Sequence, residues 1–330
     1  MKSLQMPSRI KLSVIIPVFN TIEYLDECIL SLINQRLIDI ELIFIDNGSD
    51  DGSYEKLKAI EAEKNSSFFR VFQVTVGGCG HCRNYGIQLA KGEHIGFCDS
   101  DDWCSGDMFE RLLNAVVDFD ADIAIGEIIR WNPKKGVLSP YFGEKYFKSR
   151  FYSPAERPFL IKMTNCYNKI YKKELLISNN IYFQDLPLHE DVTFTFKALY
   201  LANKIVSVPE ARYFYRHNLN SITQIAEKQS EPGDAVFKMI KKLRAECSAL
   251  NVPYEWVMAA ERLIESHLIW VIENVKPEKI AAYLDRALEA AEYLPKSVFK
   301  NMAVTPSKAT LGEGVYNYYL TQKQFAPQSN

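Results

Sequence analysis

Short apolar runs alternate with longer amphipathic stretches along the first 120 residues. Continuous apolar runs predict buried strands, and apolar residues that recur every three to four positions predict helices. The predicted strands cover residues 12–19, 40–45, 69–76 and 95–98. The predicted helices cover residues 22–35, 54–64, 83–91 and 107–119. This alternation predicts an α/β fold with a largely parallel sheet between helices.

The pattern changes twice in the rest of the chain. Strands are predicted at 122–131, 166–170, 204–208 and 211–217, with helices from Lys173 and over 192–202 and a long loop or short irregular strands over 132–157. From about residue 230 to 294 only helical periodicity is present. We therefore predict two domains: an α/β domain of residues 1–225, large enough to be catalytic, and a helical C-terminal domain of residues 226–330. The boundary is predicted at 223–232, and the tail after Tyr319 is predicted to be disordered.

Three carboxylates follow the fourth predicted strand: Asp99, Asp101 and Asp102. Clustered carboxylates repel one another and are costly to bury. A divalent cation, Mg²⁺ or Mn²⁺, would relieve that repulsion, because both ions prefer oxygen ligands. The other interpretation is that Asp101 or Asp102 caps the next helix. Two other predicted strands end at Pro17 to Asn20 and at Asp46. The carboxyl ends of parallel strands lie at the same edge of the sheet, so we expect a ligand cleft at that edge.

Composition excludes several classes of protein. The net charge of −2 over 330 residues gives no case for nucleic-acid binding. No apolar run reaches the roughly 20 residues of a membrane-spanning helix, and residues 1–11 lack the apolar core of a signal peptide. Seven scattered cysteines are typical of reduced thiols in a cytoplasm. We therefore expect a cytoplasmic protein.

Six segments occur in an order that resembles one enzyme family. They are VIIPVFN (14–20), LIFIDNGSDDGS (42–53), CRNYGIQLAKGEHIGFCDSDD (82–102), NKIYKKELL (168–176), HEDVTFTFKAL (189–199) and YFYRHNLNSIT (213–223). Together the chain resembles a glycosyltransferase of family 2, which has the GT-A nucleotide-diphospho-sugar transferase fold. The resemblance covers about residues 11–223, and the C-terminal third shows no match.

The resemblance implies a nucleotide-sugar site. The residues that match it are Pro17, Phe19, Asn20, Asp46, Asn47, Gly48, Arg83, Asp99 and Ser100. By this resemblance Asp46 accepts a hydrogen bond from the base, usually uracil, and Arg83 meets the diphosphate or the base. Asn47 and Gly48 fit an ordinary turn equally well, and a surface arginine at a helix start is the alternative for Arg83. Val76 stands where many relatives have asparagine, so the resemblance does not extend to the nucleotide contacts of that position.

The resemblance also implies the catalytic groups. Asp101 matches the direct metal ligand and Asp99 a second metal or ribose contact, while His217 is either a further ligand or a strand-end histidine without a role. Asp191 matches the general base and Glu190 a residue that orients the acceptor. For these two the alternative is an acidic helix N-terminus.

The acceptor side of the site is the least defined part of the pattern. Trp103 and His189 lie where the sugar or acceptor is expected, and a core tryptophan is an equal alternative for Trp103.

The implied activity is transfer of a sugar, with inversion, from a UDP-linked donor to a glycan or lipid-linked acceptor hydroxyl. Bacterial surface polysaccharide synthesis is the usual setting of such relatives. The alternative is a non-catalytic sugar-nucleotide-binding subunit of an assembly complex. The C-terminal helices have three open roles: packing on the catalytic domain, forming a homodimer, or contacting the inner face of the membrane that carries a lipid-linked acceptor.

The sequence Cys79-Gly80-His81-Cys82 raises two further hypotheses. A redox-active C-x-x-C places a low-pKa thiolate at a helix N-terminus. A zinc site would combine Cys79 and Cys82 with Cys98 and Cys104. Packing of small residues around a glycine turn is the interpretation favoured here.

Overall fold

The computed structural model describes residues 9–64, 67–75, 77–132, 136–147, 150–218 and 233–274. These residues belong to two compact units that divide between Asn218 and Leu219. The predicted boundary at 223–232, the helical pattern beyond residue 274, the tail after Tyr319 and Val76 lie outside the described residues.

The first unit contains nine strands and seven α-helices in its described part. The strands are β1 (Leu12–Val18), β2 (Ile40–Asp46), β3 (Phe69–Gln73), β4 (His94–Phe97), β5 (Trp103–Cys104), β6 (Ile123–Asn132), β7 (Val137–Pro140), β8 (Lys169–Lys172) and β9 (Ile205–Arg216). The helices are α1 (Ile22–Ile33), α2 (Ser53–Lys64), α3 (Cys79–Leu89), α4 (Met108–Phe119), α5 (Arg157–Leu160), α6 (Lys173–Ser178) and α7 (Asp191–Leu201), with a short 3₁₀ helix at Glu144–Tyr146.

One sheet joins all nine strands in the order β3-β2-β1-β4-β8-β6-β9-β5, with β7 beside β6. The four N-terminal strands are parallel to one another, β8 is antiparallel to both of its neighbours, and β6 is parallel to β9. Every residue of β1 and β2 is buried. Because a strand covered on both faces needs apolar side chains throughout, the continuous hydrophobic runs predicted these two strands well.

Several element boundaries differ from the sequence prediction, and β3, predicted over 69–76, ends at Gln73. Helix α3 begins at Cys79 rather than Arg83, and β8 covers Lys169–Lys172 rather than residues 166–170. The two strands predicted at 204–208 and 211–217 form the single strand β9. Its pairing with β6 shifts register between Gly126 and Glu127, and a Cβ on Gly126 would lie 2.4 Å from the Ala211 oxygen. The bulge thus lets β9 continue past its extra residues.

The second unit contains helices α8 (Gly233–Ala249) and α9 (Tyr254–Asn274) in its described part. Arg244 of α8 makes a bidentate ion pair with Glu261 of α9, with N···O distances of 2.8 and 2.6 Å. Leu243 and Leu263 are among the apolar side chains that these helices bury. No helix in the described residues of either unit combines the length and apolar character needed to cross a membrane.

A buried carboxylate ties the N-terminal half of the sheet together. Glu41 of β2 is fully buried and accepts hydrogen bonds from Ser13 Oγ (2.6 Å), the Lys91 backbone N–H (2.6 Å) and Arg70 Nη1 (2.8 Å). These donors come from β1, from the end of α3 and from β3. A buried charge with this many donors is compensated, and its loss leaves the donors without an acceptor.

We expect Glu41→Ala to lower the free energy of unfolding by about 3 kcal/mol or more, because it leaves the Arg70 cation and two buried donors uncompensated. Urea unfolding followed by circular dichroism measures the change. The control is Glu93→Ala, which removes the exposed pair with Arg9 and should cost less than about 1 kcal/mol. Equal losses in the two variants would contradict this account of Glu41.

Candidate active site

Hydrogen bonds join the loops that follow β1, β2 and β4. The Asn20 backbone N–H donates to Ser49 Oγ (3.0 Å), and Asn20 Oδ1 accepts from the Asp50 N–H (3.0 Å). Thr21 Oγ1 donates to Ser100 Oγ (3.0 Å). The convergence of these strand ends, predicted from the parallel topology, is therefore present in the structure.

Asp46 ends β2 as a buried carboxylate with one oxygen in use. Its Oδ2 accepts from the N–H groups of Gly48 (3.0 Å) and Ser49 (3.1 Å) and from Gln73 Nε2 (3.0 Å). Gly48 has φ +76°, a conformation that glycine adopts without steric cost. Asp46 Oδ1 is buried without a hydrogen-bond partner, and so is Oδ1 of Asn47. This turn therefore holds two oxygen acceptors that a donor group could satisfy.

The other two residues predicted for the first nucleotide loop differ in exposure. Phe19 is 47 % exposed beside this turn. Pro17 lies inside β1, opposite Ile45, and is buried. Of the two, only Phe19 is thus accessible to a ligand.

Arg83 bridges two carboxylates from distant parts of the chain. Its Nη2 donates to Asp99 Oδ1 at 2.7 Å and its Nη1 to Glu190 Oε1 at 2.6 Å. The Arg83 residue is only 4 % exposed, and its guanidinium carbon lies 5.2 Å from the centre of the Phe183 ring. The surface arginine considered from the sequence is therefore wrong, because Arg83 is a buried cation that unites the acidic turn with the start of α7.

The C-x-x-C segment forms the first turn of α3. Gly80 packs against the segment that precedes α7: a Cβ there would lie 2.4 Å from the Gln184 oxygen and 3.2 Å from Glu190 Cγ. Burial raises the pKa of the Cys79 thiol well above its usual value and that of Cys82 to about 11. A low-pKa redox thiolate is therefore contradicted. The glycine instead allows α3 and Glu190 to approach closely.

The described cysteines show no metal or disulfide chemistry. All seven have free thiols. Within the residues that the structure describes, no three His, Cys, Asp or Glu side chains are grouped as ligands for a metal. The hypothesis of a zinc site that includes Cys98 and Cys104 is therefore wrong, because Cys98 and Cys104 are buried in the core.

Asp191 opens α7 and Glu190 precedes it, after a turn at His189. His189 has φ +62°, a left-handed conformation that redirects the chain immediately before the two carboxylates. Burial and the negative charge of Glu190 together raise the pKa of Asp191 from 3.8 to about 7, against the opposing effect of Arg83. A carboxyl with this pKa can accept a proton near neutral pH.

Asp102 anchors the acidic turn to β9. The Tyr213 hydroxyl donates to Asp102 Oδ2 (2.8 Å) and accepts from the Asp99 N–H (3.0 Å). The Arg216 N–H donates to Asp102 Oδ1 (2.7 Å). Helix α4 begins later, at Met108, with Asp107 at its N-cap position. The helix-capping role considered for Asp101 and Asp102 is therefore wrong.

Asp101 is held from the same side. Asn218 Nδ2 donates to its Oδ2 at 3.0 Å, and Arg216 Nε donates to its backbone oxygen at 2.8 Å. Burial raises the pKa of Asp101, and the negative charge of Asp99 raises it further. The described residues do not group His217 with these two carboxylates, and His217 is exposed, with its backbone N–H bonded to the Trp131 oxygen.

Trp103 lies in β5 and contacts the end of β9. Its ring stacks on Phe214 with 5.3 Å between ring centres and 5° between planes. The Arg216 guanidinium carbon lies 4.6 Å from the centre of the indole. Trp103 is half-buried, so it is neither a fully buried core residue nor a freely exposed one. Its role toward an acceptor stays a prediction.

Sequence reasoning missed the residues that hold the acidic turn in place. They are Thr21, Tyr213, Arg216 and Asn218. The available signal was the position of three of them at the end of a predicted strand, within the segment YFYRHN. That signal says that the residues share a strand end, and it does not say which loop they contact.

Comparisons with known proteins agree on one family. The model described as "Glycosyl transferase family 2" matches residues 13–178. The "Uncharacterized glycosyltransferase EpsJ" of Bacillus subtilis is 31% identical over 224 residues, which are 66% of this chain and 64% of EpsJ. The "Glycosyltransferase GlyG" of Streptococcus pneumoniae is 30% identical over 254 residues, which are 70% of this chain and 79% of GlyG. The match thus spans less than two thirds of EpsJ.

A solved structure shows the same fold. S. aureus TarS 1-349, in complex with UDP-GlcNAc, superposes with a TM-score of 0.73 at 22% identity, over 97% of this chain and 93% of that one. TarS of Staphylococcus aureus is described as a "Poly(ribitol-phosphate) beta-N-acetylglucosaminyltransferase". The predicted GT-A fold is confirmed by this likeness.

We expect Arg83→Met to lower the free energy of unfolding by about 3–5 kcal/mol, since it leaves Asp99 and Glu190 without their shared cation. Chemical unfolding measures the loss. The control is Arg111→Met on the surface of α4, where Arg111 pairs with Asp107 and its loss should change the free energy of unfolding little. A loss in Arg83→Met no larger than that of the control would contradict the bridging role.

Proposed function

Because the chain belongs to glycosyl transferase family 2, we propose that it transfers a sugar from a UDP-linked donor to an acceptor hydroxyl, with inversion at the anomeric carbon. The observation that carries the proposal is the Arg83 bridge. It brings the acidic turn, where a donor diphosphate would lie, next to Asp191, the candidate base.

The turn after β2 supports recognition of the base. Asp46 Oδ1 is a buried acceptor without a partner, and a carboxylate oxygen accepts the imide N–H of uracil. Binding there would satisfy a group that is otherwise costly to bury. TarS, which has the same fold, was solved with UDP-GlcNAc, which supports a UDP-linked donor for this chain. The exposed Phe19 would border the same site.

The acidic turn fits a divalent cation. Asp99 and Asp101 supply hard oxygen ligands one residue apart, and their mutual repulsion contributes to the raised pKa of Asp101. Mg²⁺ is commonly held by one or two protein carboxylates, with substrate phosphates and water completing its shell. Mn²⁺ or Mg²⁺ held by Asp101 and Asp99 would neutralise charge on the departing diphosphate. His217 does not join these ligands in the described residues.

Asp191 is the proposed general base. It removes the proton of the acceptor hydroxyl as that oxygen attacks the anomeric carbon. Glu190, which is paired with Arg83, precedes Asp191 directly in the chain, and from this position Glu190 would orient the acceptor. Trp103 and His189 border this side in the proposal, and the acceptor sugar would approach between them.

We propose further that residues 1–225 form the catalytic domain and 226–330 the helical domain. The proposed acceptor is a glycan or a lipid-linked oligosaccharide of the bacterial surface, made in the cytoplasm at the inner face of the membrane. The support for this setting is that TarS is named for transfer to poly(ribitol-phosphate).

The direct test measures UDP release from a panel of UDP-sugars with Mn²⁺, Mg²⁺ or chelator, with and without glycan acceptors. We expect metal-dependent release from at least one donor and loss of the metal response in Asp101→Ala. Asp107→Ala, at the half-buried start of α4, is the control for removal of a nearby carboxylate. Donor binding without turnover under every condition would favour the non-catalytic subunit instead.

We expect Asp191→Asn to lower kcat by roughly 10²–10⁴-fold while UDP binding stays nearly unchanged, because the amide cannot accept the proton. Steady-state kinetics and titration calorimetry with UDP measure the two effects. Asp185→Asn, an exposed substitution on the segment before α7, serves as the control and should leave kcat unchanged. A fully active Asp191→Asn variant would remove Asp191 from the role of base.

We expect kcat to fall about tenfold per pH unit below about pH 7, because Asp191 must be ionised to act as base and burial raises its pKa to about 7. Above that pH the carboxylate is formed and this dependence ends. Measuring kcat from pH 5 to 9 at saturating donor locates the acid limb. A limb near pH 4, the range of an exposed aspartate, would contradict the buried environment of the base.

A further inference from the structure

The Asn168-Lys169 pair belongs to a family segment that the proposed chemistry does not use. Both residues are fully buried. Lys169 Nζ donates to the backbone oxygens of Met163 (2.9 Å) and Asn165 (2.5 Å) and to Oδ1 of Asn168 (2.7 Å). Among the described residues, no carboxylate lies within ion-pair distance of Lys169. A buried cation held only by neutral oxygens is unusual, because burial of a charge is costly.

The three hydrogen-bond acceptors around Lys169 Nζ indicate that the side chain is in its charged ammonium form. An ammonium has three N–H donors, whereas a neutral amine has two. Burial opposes this form and lowers the Lys169 pKa to about 7, while the negative charge of Asp191 favours the ammonium. The same electrostatic interaction favours the ionised form of Asp191, since attraction between the two groups is mutual.

The acceptors of Lys169 belong to one turn that also contacts α7. The backbone oxygens of Met163 and Asn165 face Lys169, and the oxygen between them, on Thr164, accepts from Thr195 Oγ1 at 2.7 Å. Thr195 lies one helical turn after Asp191. Three consecutive backbone oxygens are thereby fixed, two by a cation on β8 and one by a hydroxyl on the helix that begins with the base.

Asn168 fixes the other end of this arrangement to the sheet. Its Nδ2 donates to the Gly126 oxygen at 2.6 Å, and the Gly126 N–H donates to the Asn168 backbone oxygen at 2.7 Å. The turn, β8 and the bulge of β6 are therefore one hydrogen-bonded unit. Such a unit can hold α7 in a defined position, because the side chains of Asn168, Lys169 and Thr195 are all hydrogen-bonded within it.

We propose that Lys169 is a positioning residue for Asp191. Its ammonium fixes the turn of residues 163–165, and that turn contacts α7 through Thr195. The positive charge of Lys169 also favours the ionised form of Asp191. The inference rests on the proposed function, in which Asp191 removes the acceptor proton. The other charged or titratable groups that interact with Asp191 are Glu190, Arg83, Asp99, Cys166 and Tyr171.

The test compares Lys169→Met with Thr195→Val in the full-length chain. The first variant removes the cation and keeps the side-chain length, and the second removes the contact of α7 with Thr164 and keeps the shape. We expect both to lower kcat by about 10–100-fold, the scale of a misplaced catalytic group. The Kd for UDP, measured by calorimetry, should change less than about twofold, because the donor side is not part of this unit.

The pH profile of kcat distinguishes an effect of the Lys169 charge from an effect of packing against α7. Lys169→Met should move the acid limb of kcat upward by about half a pH unit or more, because Asp191 loses a favourable positive charge. Thr195→Val should lower kcat without moving the limb. Lys173→Met is the matched control: Lys173 donates to the Ala90 backbone oxygen at 2.6 Å, away from α7, and its loss should leave kcat and the limb unchanged.

Each result supports or overturns the inference. A folded Lys169→Met variant with wild-type kcat, an unmoved acid limb, or a loss of UDP affinity as large as the loss of kcat overturns it. If Lys169→Met does not fold, Thr195→Val decides alone, and unchanged kcat there overturns the positioning role. A wild-type protein without transferase activity refutes the proposed function itself, and that outcome is distinct from equal activities in wild type and variants.

Discussion

Asp99 and Glu190 share the guanidinium of Arg83, and the rest of the site is arranged around that bridge. Three buried or half-buried ionic groups at this position would be costly without one another, because each charge has left water. The planar guanidinium presents separate N–H groups to each carboxylate, which a lysine ammonium could not do with the same geometry. The bridge therefore fixes the distance between the strand end that carries the acidic turn and the helix that carries Asp191.

The surrounding contacts make that arrangement rigid from two sides. On one side, Tyr213 and Asp102 connect the acidic turn to β9 through bonds in the buried core. On the other, Lys169 and Thr195 connect β8 to α7 through the turn of residues 163–165. Strand β8 lies between β4 and β6 in the sheet. The first set of contacts joins the turn after β4 to β9, and the second begins on β8, so both halves of the site are supported by the same sheet.

The support of the site by the sheet explains why the sheet contains many buried polar groups, although its N-terminal strands are almost wholly apolar. A proton acceptor near neutral pH requires a carboxyl that is partly removed from water, and a carboxyl in that state requires nearby compensation. The positive charges of Arg83 and Lys169 favour the ionised form of Asp191, while the negative charges of Glu190 and Asp99 oppose it. The raised pKa of Asp191 follows from the balance of these groups with burial.

The sequence alone determined the order of the N-terminal strands and helices, because continuous burial and helical periodicity leave a local pattern. Through resemblance it also predicted metal-binding and catalytic roles for Asp99, Asp101, Glu190 and Asp191, and these roles stay predictions. Only the tertiary structure decided their partners: Arg83 as a bridge rather than a surface residue, Asp102 as an anchor for Tyr213 rather than a cap, and Lys169 as a buried cation. The start of α3 was misplaced because Gly80 looks like a helix breaker locally, whereas its missing side chain makes room for Glu190. Hydrogen bonds between residues far apart in sequence impose no periodicity on the residues near them. For that reason candidate residues for the site could be proposed from the sequence, and the hydrogen bonds and ion pairs between them could not.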